Sequence, residues 1–295
     1  MVVLKKKKIN KNTYYYLEHS YRKNGKVEKK QRYLGTTLPK NITQLTHQFL
    51  QEFNQETWFS HFDVIKENYT KKIKNRPPSL EKKTIEQFAI RFTYNTNRIE
   101  GSTLTLRETA VLLEQGITPA RRPIEDIREA EAHKKIFYDM RAYTKEISLP
   151  TLLHWHRELF KETKEDIAGK IRKYNVEISG STYTPPYAIE LDLLLTEFFD
   201  WYRNNRKKIH PVQFAALVHL KFVSIHPIGD GNGRISRLFM NAVLNRNGYP
   251  MLIIDYTQRT SYYHALERSQ LTQDETIFTK WFFRRYLKQY RKYLK

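Results

Sequence analysis

Apolar residues recur at helical spacing along most of this chain, and they do so most cleanly on either side of one glycine-rich stretch. Upstream of it, Phe214, Leu217, Val218, Phe222 and Ile225 share one helix face behind Pro211. Downstream, Ile235, Leu238, Phe239 and Ala242 share another before Gly248. The pattern predicts two buried helices, one opened by a first-turn proline and one stopped by a glycine. Ile85, Phe88, Ala89 and Phe92 predict a helix from about Leu80 to Glu100, closed by Gly101 in the left-handed conformation. Thr105 and Glu108 form a capping box ahead of Ala110, Val111 and Leu112. Ser148 can cap a helix carrying Leu152, Leu153 and Trp155, and another runs from Ile189 through Leu193, Leu194, Phe198 and Trp201. Met251 to Tyr256 reads as a short extended piece. Two more helices end the chain, the last with Phe278, Trp281, Phe282, Leu287 and Tyr290 against a strongly basic face.

The first 36 residues follow a different rhythm. A lysine-rich strand, a Tyr14-Tyr15-Tyr16-Leu17 strand and a Val27–Leu34 strand predict a small β module, with Asn24-Gly25 as its second hairpin turn. Residues 37–79 read as a helical connector, with Leu45, Phe49 and Phe53 near helical spacing and a boundary at Arg76-Pro77-Pro78-Ser79. The segment at 169–186 alternates like strands around Ser179-Gly180-Ser181, so an exposed hairpin is expected there. The fold class is therefore mainly α: a helical domain over 80–295 with a β-hairpin flap, plus the basic β module.

Composition changes this picture in two places. The chain has no cysteine, which excludes disulfides, thiolate metal sites and cysteine nucleophiles. Its net charge of +21 is concentrated at the ends: residues 1–40 hold 12 Lys and Arg against Glu18 and Glu28, and residues 280–295 hold seven and no acid. Interleaved lysines and tyrosines at 1–36 admit nucleic-acid binding beside the plainer reading of a solubilised sheet edge. No apolar run approaches 18 residues, and Val2-Val3-Leu4 leads straight into four lysines, so a soluble, cytoplasmic protein without a membrane segment is expected.

The chemistry sits in residues 226–237, His-Pro-Ile-Gly-Asp-Gly-Asn-Gly-Arg-Ile-Ser-Arg. The turn presents unpaired amides and the positive end of a helix dipole, and its glycines let an anion approach the main chain. Arg234 and Arg237, on adjacent helical turns, can add charge-assisted hydrogen bonds. Asp230 beside a phosphate calls for a bridging cation, which implies Mg²⁺. His226 at the lip is then placed as a general base, with an ordinary pKa of about 6.5 suited to neutrality.

The stretch resembles the signature of the Fic family, His-Pro-Phe-x-Asp/Glu-Gly-Asn-Gly-Arg-x-x-Arg. Eight of nine specified positions match, and Ile228 stands where Phe is usual. The resemblance implies an enzyme that transfers AMP from ATP to a Ser, Thr or Tyr hydroxyl of a protein. His226 would be its base and Asp230 its Mg²⁺ ligand. Gly229, Gly231, Asn232, Gly233 and Arg234 would line the phosphate cradle, with Arg237 at the γ-phosphate. Tyr263, beside Tyr262, would close the base pocket. The toxin branch of the family, which phosphorylates its targets instead, carries a lysine near Gly233, so glycine here favours nucleotidyl transfer.

Thr-Asn-Arg-Ile-Glu-Gly at 96–101 is similar to the family's inhibitory motif, with Thr96, Glu100 and Gly101 at its specified positions. The resemblance implies that Glu100, on a helix at about 80–100, pairs with Arg237 and blocks the γ-phosphate seat. That would offset the unfavourable placement of an acid at a helix C-terminus. The segment at 169–186 is similar to the family's target-clamping flap, with Val176, Ile178 and Gly180 facing the target. A homodimer is a further expectation from kinship. Three other readings stay open: removal of AMP with Glu100 positioning water, a nucleotide donor other than ATP, and a nucleic-acid-binding regulator acting through residues 1–36.

Overall fold

The computed structural model describes residues 2–23 and 26–294. The expected Asn24-Gly25 turn lies outside the described residues. The chain divides into two compact units, residues 1–64 and 65–295.

In the first unit, β1 (Val2–Ile9), β2 (Asn12–Lys23) and β3 (Lys26–Gly35) form an antiparallel sheet in the order β1-β2-β3. Ile9 pairs with Asn12 across a two-residue turn in which Asn10 takes φ 56°. A short side-chain amide tolerates that left-handed geometry well. Register shifts once between β2 and β3, at Tyr15/Tyr16. α1 (Ile42–Asn54) covers one sheet face, with the Phe53 ring 4.6 Å from His19 and 5.0 Å from Tyr21. A π-helical turn at Gln55–Phe59 leads on to α2 (Ser60–Lys74).

Beyond residue 65 the described chain is helical apart from its connections. α3 (Pro78–Ile99), α4 (Leu106–Gln115), α5 (Ile124–Ala142) and α6 (Leu149–Phe160) precede the flap segment. After it come α7 (Leu191–Asn205), α8 (Pro211–Ile225), α9 (Asn232–Arg246), α10 (Arg259–Thr272) and α11 (Glu275–Tyr290). The expected boundary at 76–79 falls inside this second unit, where Pro78 opens α3. The C-terminal part of α2 packs there too, with Asn68 Nδ2 donating to the Tyr293 carbonyl and Tyr69 edge-on to Tyr290 and Tyr293. No helix among the described residues is long and apolar enough to cross a membrane.

α9 is the axis of this unit, buried at Asn232 and from Arg234 through Leu244. α8 is buried along most of its length and packs against it, while α3, α5 and α6 also touch α9. Gly248, at φ 73°, ends α9 as its pattern requires: Gly248 and Tyr249 donate to the carbonyls of Asn245 and Leu244. The loop between α8 and α9 is thus held between the two most deeply buried helices.

One expectation changes here. Residues 169–186 close a turn, Ser181 N donating to Ile178 O at 3.0 Å with Gly180 at φ 76°, but they pair into no strand ladder. Pro185 and Pro186 remove two donors from the returning arm. The guanidinium of Arg172 takes the place of a ladder instead, donating to the carbonyls of Tyr174 (2.8 Å) and Pro186 (2.6 Å).

Candidate active site

α8 ends on His226, which takes φ 52° and ψ 54° and so turns the chain sharply out of the helix. Its Nδ1 lies 3.3 Å from the Val223 carbonyl. A carbonyl can only accept, so Nδ1 carries the proton and Nε2 keeps the basic lone pair. Burial holds this imidazole below its ordinary pKa, and the nearby Arg172 charge acts in the same direction. His226 is therefore neutral at pH 7. Arg172, 4% exposed, donates from Nε to the His226 carbonyl at 2.8 Å, and its own N–H reaches the Pro227 carbonyl at 3.0 Å.

Ile228 is buried at 1% exposure, so it anchors the loop as its apolar character suggests. Asn232 has a different role from the one expected. Its Oδ1 accepts from Ile228 N at 3.2 Å and its Nδ2 donates to Ile228 O at 2.7 Å. The side chain is a clasp that closes the loop, and what Asn232 can offer an anion is its backbone N–H. His156 on α6 holds the next residue. Gly169 N donates to its Nδ1 at 3.0 Å, so Nε2–H donates to the Asp230 carbonyl at 3.1 Å. Burial, with Arg234 nearby, pushes its pKa down to about 4, which keeps that tautomer neutral.

Gly231 forms the N-cap of α9 with φ 79°, and a Cβ there would sit 2.6 Å from the Phe160 ring. No side chain caps this helix start. The first-turn amides of Asn232, Gly233 and Arg234 thus form a seat for an anion, at the positive end of a 15-residue helix. A Cβ on Gly229 would run into the Tyr174 hydroxyl, so flap and loop are in contact there.

Two buried arginines back this seat, and each is held by an acid from another helix. Arg234 pairs with Glu129 of α5 and stands 3.4 Å from Asp230, with its guanidinium 4.7 Å from the Phe160 ring centroid. Its Nε is buried without a hydrogen-bond partner. Arg237, 1% exposed, donates from Nε to Thr96 Oγ1 at 2.7 Å and from Nη2 to the Thr96 carbonyl at 3.2 Å. Nη1 reaches the Tyr262 hydroxyl at 3.2 Å, and Nη2 forms an ion pair with Glu100. Burial opposes this charge, but the Glu100 carboxylate outweighs it and raises the guanidinium pKa.

Glu100 is the C-cap residue of α3, and Gly101 follows at φ 105°. Its carboxylate fills the space where a Cβ on Gly233 would go. It therefore lies across the first turn of α9, over the anion seat. Tyr263 adjoins the same region: its hydroxyl is 3.4 Å from the Ile99 carbonyl, and Arg259 lies 5.4 Å from its ring centroid. Val176 and Ile178 are half-buried and Gly180 is exposed. The flap tip is tied to α10 through Glu267, which accepts from Ser181 Oγ, Thr182 N and Thr182 Oγ1 at 2.7–3.0 Å.

Asp230 is 38% exposed and ion-paired to Lys164, with Arg234 beyond. Burial works against its charge, yet Arg234 and Lys164 hold its pKa below the usual carboxylate value. Among the described residues no cluster of three or more His, Asp or Glu could hold a metal. A single ionised carboxylate beside an anion seat nevertheless fits Mg²⁺, which commonly takes one protein carboxylate and completes its shell with phosphate oxygens and water.

The comparisons with known proteins agree with this geometry. The Fic/DOC family model matches residues 146–244, from α6 through α9. A protein adenylyltransferase Fic of Drosophila ananassae is 36% identical over 178 residues, 59% of this chain and 35% of that protein. The protein of the same name from Nematostella vectensis is 33% identical over 193 residues, 64% of this chain and 45% of its own length. This chain thus spans less than half of either relative. Among solved structures, a fragment of Fic-1 from C. elegans superposes with a TM-score of 0.72 at 25% identity, covering 86% of this chain and 77% of that one. A Fic domain-containing signaling protein from Bacteroides thetaiotaomicron gives 0.70 at 25% identity, covering 79% and 96%. A neutral histidine, an uncapped helix start and two buried arginines thus lie on a fold shared with those proteins, and this chain carries a Fic/DOC family domain.

Proposed function

We propose that this chain is a protein adenylyltransferase restrained by Glu100. The observation that carries the reading is His226 on the loop that opens α9, near enough to Glu100 and Asp230 to feel their charges, with Nδ1 protonated and the Nε2 lone pair left basic. ATP is the donor and a protein hydroxyl the acceptor. His226 Nε2 takes the proton as the hydroxyl oxygen attacks the α-phosphorus, one P–O bond forms, and pyrophosphate leaves with its bonding electrons. The amides of Asn232, Gly233 and Arg234 and the Arg234 guanidinium meet the phosphate oxygens, as fixed donors that need no reorganisation during the reaction. Asp230 would hold Mg²⁺, which polarises phosphate oxygens when bound. Val176 and Ile178, with Gly180 at the turn beyond them, offer unpaired backbone to a target segment.

In the conformation described, Arg237 is committed to Thr96, Tyr262 and Glu100, and the Glu100 carboxylate covers Gly233. This supports a brake: a triphosphate must displace Glu100 before Arg237 can meet its terminal phosphate. The test is transfer of label from ATP labelled at the α-phosphorus into the protein itself, with Mg²⁺ present. Glu100→Gly should raise labelling by about tenfold or more, equivalent to removing a contact of over ~1.4 kcal/mol. Adding His226→Ala should then lower it by about 10²- to 10⁴-fold, the usual contribution of a general base. Labelling that is unchanged by either substitution would sink both assignments.

A further inference from the structure

The N-terminal sheet has two faces of opposite character, and register assigns its residues to them. Leu17, His19 and Tyr21 of β2 and Lys30 and Arg32 of β3 face α1. There the cations are neutralised: Lys30 pairs with Glu56, and Arg32 pairs with Glu52 and lies 5.3 Å from the Phe49 ring centroid. The other face carries Lys5 and Lys7 of β1, Tyr14, Tyr16 and Glu18 of β2, and Lys29, Gln31 and Tyr33 of β3. Within this unit, α1 covers only the first of these faces.

Three rings meet on that open face. Tyr33, 53% exposed, lies 6.2 Å from Tyr14 and 5.2 Å from Tyr16 between centroids. Lys7 stands 4.7 Å from the Tyr16 ring and 3.4 Å from Gln31 Oε1. Glu18 is the acid on this face among the described residues, and it is 6% exposed, bonded to Gln31 and 3.5 Å from Lys29. What solvent meets is therefore rings, amide and ammonium groups, with Val3 and Val27 exposed toward the far end of the face. Tyr14 and Tyr16 are partly buried beside Tyr33, which is half in water and adds little to the unit's own core.

We infer that this face is a stacking platform for single-stranded nucleic acid, with bases on Tyr14, Tyr16 and Tyr33 and phosphates on Lys5, Lys7 and Lys29. Exposed rings interleaved with cations suit unpaired bases, whose faces are free to stack, and the charge is complementary to a polyphosphate backbone. Duplex would present its phosphates to the lysines and leave the rings unused. The inference is independent of the reaction proposed above, because none of these residues belongs to the loop at 226–237.

The experiment is fluorescence anisotropy of the full chain with labelled oligothymidine and oligouridine, with duplex DNA and polyglutamate as competitors. Tyr33→Ala should weaken single-strand binding by about 5- to 150-fold, the range set by loss of one stacked base. Tyr33→Phe should retain binding, while Tyr33→Leu, of comparable bulk but without a ring, should lose it as alanine does. Lys5→Gln with Lys7→Gln should flatten the slope of log affinity against log salt by about 1.4, roughly 0.7 per single-strand phosphate contact. Unchanged melting of the variants separates lost contacts from lost folding. Equal binding by Tyr33→Ala and wild type would overturn the inference. So would displacement by duplex or polyglutamate as readily as by single strand, which would reduce the face to a general anion surface.

Discussion

At the start of α9, Arg234 and Arg237 are 3% and 1% exposed, and each has an acid from a distant helix set against it. On the open face of the N-terminal sheet, Lys5, Lys7 and Lys29 stand in water around one buried glutamate. The two regions share a sign of charge and little else. A buried guanidinium without a partner is costly, so the core must supply a counter-ion, and one of the two, Glu100, lies over Gly233. Exposed ammonium groups need no partner, so the sheet can leave them in water, with any selectivity left to the rings beside them. Burial ties each charge of one region to a fixed partner, and exposure leaves the charges of the other without that constraint.

The sharpest way to break this contrast is to remove an acid from each region. Glu129→Ala leaves Arg234 buried with Asp230 at 3.4 Å as its remaining acid, and should destabilise the protein by about 3–5 kcal/mol in urea unfolding. A loss below about 1 kcal/mol would mean that the pair is not what holds that charge. Acid should discriminate next. Burial pushes His133 and His219 down to about 3, helped by the charges of Arg234 and Arg237 on the first and of Arg237 on the second, and pushes His156 down to about 4. In the unfolded chain each takes up a proton near pH 6.5 while the folded one does not. Stability should therefore fall as pH drops below about 6.5, by about 1.4 kcal/mol per pH unit for each histidine, until its folded pKa is passed. Melting temperatures equal at pH 7.5 and pH 5.5 would contradict this. The smallest effect belongs to the other side of the N-terminal sheet: Glu52→Ala in α1 breaks a half-exposed pair with Arg32 and should cost about 1 kcal/mol or less.

The loop was legible because its chemistry is contiguous. Helical spacing on both flanks located the turn, and the residue types within it named an anion seat before any contact was known. Its partners were not legible in the same way. Glu129 meets Arg234 across 105 residues, His156 meets Asp230 across 74, and Lys164 meets Asp230 across 66. Only Glu129 left a trace: it falls in helical register with His133, Ile136 and Met140, an acid on an otherwise buried stripe of α5. The flap misled for a local reason. Alternation predicts an extended chain but not its hydrogen-bond partner, and here Arg172 supplies bonds that a second strand would have made. For Asn232, nothing in the sequence distinguishes a side-chain amide that binds an anion from one that clasps Ile228, as it does here.

That clasp bears on how tightly a nucleotide can be held. Asn232 to Ile228, Arg172 to the His226 carbonyl and His156 to the Asp230 carbonyl fix the loop before anything binds. A ligand entering it loses little free energy to ordering the receptor. Under the proposed reading, the conformational work left is the displacement of Glu100, so the apparent dissociation constant is the intrinsic one divided by the fraction of molecules with Glu100 withdrawn. The ratio of nucleotide affinities with and without Glu100 would then measure that fraction directly, turning a binding experiment into a census of the two conformers.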